Sequence, residues 1–188
     1  MRSLLLALFC FTVPAWVNAL TVEEAYKAIP HSRAEYDPTR STRDRSEREY
    51  LAALFRLSDR ALVERIMAMQ SLSDGKPGAL ATYESEIGTI VGDIESLREP
   101  QTATGLGAIL VRALHGQLEF FRSWSRAREK GLPFGVPNGT AQSGVDPTIR
   151  SASGSLHQLY GELMRRYANE SAENKNSFFQ YLCALDFI

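Results

Sequence analysis

TGLGAILVRALHGQLEFFRSWSRAREK, residues Thr104 to Lys130, is the stretch on which the fold turns. At about 100° per residue, Leu106, Ile109, Leu110, Val111, Ala113, Leu114, Leu118, Phe120, Phe121 and Trp124 cover an arc of roughly 200° on a helical wheel. A single neighbouring helix cannot cover so wide an arc. The segment therefore reads as the central helix of a bundle, contacted from two or three sides, while Arg112, His115, Glu119, Arg122 and Arg126 keep one face wet.

Upstream, Leu80, Tyr83, Ile87, Ile90, Val91, Ile94 and Leu97 recur at alternating spacings of three and four, a narrow bundle seam that Pro100 ends. Before it, Leu51, Leu54, Phe55, Ala61, Leu62, Ile66, Met69 and Leu72 mark a helix from about Arg43 or Ser46, with Ser46 and Glu49 spaced as a capping box. Asp74, Gly75, Pro77 and Gly78 make the turn between the two. Thr21 and Glu24 open a short helix carrying Val22, Ala25, Tyr26 and Ile29, which Pro30 stops. Residues His31 to Arg45 lack periodicity and read as an extended crossing segment.

Downstream of Gly131 the pattern lapses for about 17 residues, a long connection for a compact bundle. Asp146 then caps a helix with Pro147 in its first position and a stripe of Ile149, Ala152, Leu156, Leu159, Tyr160, Leu163 and Tyr167. A break at Asn169 to Ser171 precedes a last helix carrying Phe178, Tyr181, Leu182 and Leu185. The expected fold is all-α: an antiparallel bundle of four main helices, with a short N-terminal helix and a docked C-terminal helix.

With 188 residues, 44% hydrophobic and 23% charged, the chain suits one domain with a true core. Residues 1–19 read as a cleaved signal peptide: Met1 and Arg2 are a positive start, Leu4 to Val13 is apolar, and Val17, Asn18 and Ala19 form the cleavage site. The apolar run is shorter than the roughly 20 residues that span a bilayer. Bulky Phe9 before Cys10 argues against lipidation. Residues 20–188 then form a single helical domain, expected in the periplasm or secreted. Loss of Arg2 and Cys10 takes the formal charge from -1 to -2 and leaves Cys183 without an internal disulfide partner. So small a charge provides no field for nucleic acid or anionic lipid, and neither is expected as a partner.

No catalytic motif is visible, so a non-catalytic protein is expected, acting as an interaction, inhibitor or envelope accessory module on another envelope protein. The irregular crossings carry the expected contact residues: His31, Arg33, Tyr36 and Arg40 combine aromatic and guanidinium groups, and Phe134 lies in the second loop. The alternative is a ligand-binding bundle in which His157 and Met164, two turns apart, hold a haem. No metal ion is expected: His115 and Glu119 have metal-ligand spacing, but Arg112, Arg122 and Arg126 share their face and favour an ion pair. Gly105 and Gly107 resemble a phosphate cradle, yet no strand precedes them. Arg65 falls inside an apolar stripe, so it either meets an acid, with Asp186 as the candidate, or snorkels to the bundle's edge. Cys183, among Phe179, Leu182 and Leu185, reads as a buried thiol with no base to activate it.

Overall fold

The computed structural model describes residues 35–130 and 147–186. The leader, the short helix expected after Thr21, the loop after Lys130, His31, Arg33 and Phe134 lie outside the described residues. Five α-helices make up the described bundle: α1 (Arg45–Ser73), α2 (Ala79–Ser96), α3 (Leu106–Glu129), α4 (Pro147–Arg166) and α5 (Ala172–Asp186). Short 3-10 turns at Pro38–Arg40 and Gln101–Ala103 precede α1 and α3.

Helix boundaries follow local chemistry. The cap of α1 is Asp44 in place of the expected Ser46: its carboxylate accepts the Glu47 N–H at 2.9 Å, and Ser46 instead donates to that carboxylate. Glycines in the left-handed region, Gly78 (φ 75°) and Gly105 (φ 86°), open α2 and α3. Along α1 the core stripe is as expected except at Met69, which is exposed while Ala68 and Leu72 pack inward.

Contacts between helices fix their directions. Arg60 of α1 meets Glu86 and Asp93 of α2, and Tyr50 nearer the start of α1 reaches Glu99 just past the end of α2. Arg122 of α3 bonds Glu84 of α2 while Gly107 lies against Ile94; Arg112 and Gly116 of α3 meet Gln158 and Ala152 of α4; and His157 and Tyr160 of α4 meet Asp186 and Phe179 of α5. Each sequential pair is thus antiparallel. With an odd number of helices, the last must run parallel to the first. Glu170, just ahead of α5, meets Ser41, just ahead of α1, while Ala184 near the end of α5 meets Arg65 well along α1. The ring closes through this pair.

The core is one cluster that includes Leu51, Leu54, Ile87, Leu110, Leu114 and Leu163, all at most 1% exposed. As the broad apolar arc requires, α3 touches α1, α2 and α4. No described helix is long and apolar enough to cross a membrane.

Candidate functional site

Where the N-termini of α1 and α5 lie side by side, residues 35–41 cross between them. Tyr36, expected on a contact surface, is only 7% exposed. Its ring stacks on Phe55 of α1 and Phe178 of α5, with centroids 5.9 Å away in each case. Phe55 and Phe178 are themselves stacked at 5.1 Å. An aromatic residue in a crossing segment found the aromatic face that two parallel helices leave open. Arg40 stays at the surface, in ion pairs with Asp37 and Glu173.

The main chain of this crossing is held by side chains of α5 and of the turn before it. Asn174, fully buried, accepts the Asp37 N–H on Oδ1 at 2.9 Å and donates from Nδ2 to the Asp37 carbonyl at 3.0 Å. Ser177 Oγ donates to the Glu35 carbonyl at 3.1 Å, and Ser41 Oγ donates to Glu170 Oε2 at 2.7 Å. Glu170, buried, also accepts from Asn174 Nδ2 and from the Ser171 N–H. A buried carboxylate is tolerable when donors surround it in this way. Nearby, Arg43 lies over the Tyr167 ring at 5.1 Å and donates to the Arg166 carbonyl. Burial pushes the Tyr36 phenol up to about 12 and raises Tyr167 as well.

Two grooves flank the exposed ridge of α1 at this end. One, of about 700 Å³, lies between α1 and the α2–α3 connection and is lined by Asp44, Glu49, Tyr50, Arg98 and Glu99 among others. The other, of about 460 Å³, lies on the crossing side, walled by Glu35, Tyr36, Phe55, Arg56 and Tyr181. Glu49 borders both. Several of these charges already hold the structure: Asp44 caps α1, Glu49 accepts from Arg45 at 2.6 Å, and Glu99 accepts from the Tyr50 hydroxyl at 3.0 Å. That same hydroxyl accepts the Gly107 N–H at 3.1 Å. Gly107 is therefore a close-packing glycine, since a Cβ would meet the Tyr50 hydroxyl at 3.1 Å and Ile94 Cγ2 at 3.2 Å. The first turn of α3, which resembled a phosphate cradle, is taken up by the chain's own phenol.

Arg65 is 2% exposed, which removes snorkelling as its explanation. Its partner is also different from the acid expected. Nη1 donates to the Leu185 carbonyl and Nη2 to the Ala184 carbonyl at 2.7 Å, so the guanidinium caps the C-terminal end of α5. Gln117 of α3 donates to the same Leu185 carbonyl at 2.6 Å. Burial pushes the guanidinium down to about 10, partly offset by Tyr83 and Asp186 through space. The Asp186 carboxylate itself lies 3.4 Å from His157 Nε2.

The His157 side chain is 74% exposed, whereas Met164 packs against the core. Glu119 is bonded to Arg122, and His115 is exposed beside it. The Cys183 thiol is half-buried, and burial raises its pKa, which disfavours the reactive thiolate. The residues that hold the crossing segment, Asn174, Ser177 and Glu170, were not singled out from sequence. A signal was present: Asn174 and Ser177 are polar positions on the apolar face that carries Phe178, Tyr181 and Leu185. No known family model matches the chain, and comparisons with curated proteins and with solved structures found no match.

Proposed function

We propose that this protein is an exported, non-catalytic interaction module of the cell envelope, which recognises another protein through the ridge and grooves at the N-terminal end of α1. The observation that carries the reading is the pair of grooves on either side of Glu49, of about 700 and 460 Å³, which share that residue as their common rim. Their mixture of carboxylate, guanidinium and tyrosine suits protein contact. Asp44, Glu49 and Glu99 are already engaged in a cap, an ion pair and a phenol bond, which favours binding over proton transfer. Export rests on the composition of residues 1–19.

The test is site-specific cross-linking in cells with the full chain. A photoreactive residue in place of Glu49 should give a discrete adduct with one envelope protein, and the same residue in place of Glu95, exposed on α2, should not. Adducts at neither position, or equally at both, would overturn the proposal.

A further inference from the structure

Read upstream from α1, the crossing segment climbs one face of α5 and the turn before it. Ser41 bonds Glu170, the Asp37 main chain bonds Asn174, and the Glu35 carbonyl bonds Ser177, so successive contacts step along the helix by four residues and then three. The next position on that face is Tyr181. Tyr181 and Glu35 both line the smaller groove, together with Ala52, Phe55 and Asp59 of α1. Neither lines the larger one. The chain that precedes Glu35 therefore joins the bundle at the smaller groove, along the line where α1 and α5 meet.

An occupant of matching size stands just upstream. Val22, Ala25, Tyr26 and Ile29 cover an arc of only about 100° on a helical wheel, a width that a single groove can take up. A helix over residues 21–29 is about 14 Å long, and the α1 wall of the groove, from Glu49 to Asp59, runs about 15 Å. Residues 30–34 join the two and reach at most about 20 Å, which confines the helix to this part of the surface. So short a helix is marginal in water and needs a partner surface for its stripe. We propose that residues 21–29 dock as a helix in the smaller groove, with the apolar stripe toward Ala52, Phe55 and Tyr181. The larger groove and Glu49 remain for the envelope partner proposed above, and the docking holds with or without that partner.

Ala52 and Ala53 are neighbours on α1 that line different grooves, Ala52 the smaller and Ala53 the larger. In the full chain carrying Cys10→Ser and Cys183→Ser, a single cysteine is placed at either position and its rate of reaction with a maleimide is measured. A covered thiol reacts only from the undocked state. Ala52→Cys should therefore react about tenfold or more slowly than the same chain carrying Tyr26→Asp and Ile29→Asp, at a rate independent of protein concentration. Ala53→Cys should react alike in both backgrounds, which also shows the bundle to be intact. An Ala52 rate unchanged by the two aspartates, a change of equal size at Ala53, or protection that fades on dilution, the mark of a second copy in the groove, would overturn the proposal.

Discussion

Gly116 and Gly88 are both helical glycines, and their surroundings give them opposite meanings. A Cβ on Gly116 would meet Ala152 at 3.0 Å from its Cβ and 3.2 Å from its Cα and N, so the obstacle is largely backbone of α4 that cannot rotate away. A Cβ on Gly88 would meet nothing within 4 Å. Overpacking costs about 1–3 kcal/mol, against a helix-propensity gain of at most about 1 kcal/mol. Gly116→Ala should therefore lower the denaturant midpoint, and Gly88→Ala should raise stability by about 0.5–1 kcal/mol. Equal effects in urea titrations would show that α3 and α4 do not approach this closely. Arg65 shows how far single residues can be read in advance. Its place inside the stripe of Ala61, Leu62 and Leu72 was legible from periodicity alone. Its partners were not, because main-chain carbonyls at a helix end carry no residue identity to recognise.

At the level of elements, the helices were legible and the crossing was not. Spacing located all five described helices to within a few residues, since burial on one face imposes a period that sequence preserves. Residues 35–41 have no period, and their composition of aromatic and charged groups suits a docked strap as well as a free one. What docks them is spread across positions far apart in the chain: Asp37 with Asn174, Ser41 with Glu170, Tyr36 with Phe178. The consequence is an asymmetric pair of variants. Tyr36→Ala removes a buried aromatic and should cost about 3–5 kcal/mol. Arg40→Ala removes only exposed ion pairs and should change stability by well under about 1 kcal/mol. Thermal melts that place both variants together would contradict the docked position of Tyr36.

For the molecule as a whole, burial of phenols sets an alkaline limit. Tyr36, Tyr50, Tyr83 and Tyr167 all have pKa values raised first by desolvation, Tyr36 to about 12 from an ordinary 10.0. In each case the unfolded chain gives up its proton first. Their contribution to stability is therefore fully present below about pH 10 and is lost as pH rises through the folded values. Arg65 acts in the opposite sense, since its charged form is disfavoured inside and its pKa falls to about 10 from 12.5. Four phenols against one guanidinium leave a net loss, so the melting temperature should fall as pH rises above about 10, with tyrosinate absorbance appearing together with unfolding. Phenols that titrate in the folded protein at their ordinary value would refute this. The Arg65 contact with the end of α5 also bears on cooperativity. It joins positions 119 and 120 residues apart in the chain. Without α5 the Arg65 guanidinium has neither of these acceptors, and the bonds that make its burial tolerable are gone. The fifth helix therefore belongs to the same cooperative unit as the first four: a chain shortened before α5 should lose the fold as a whole rather than keep a four-helix remnant.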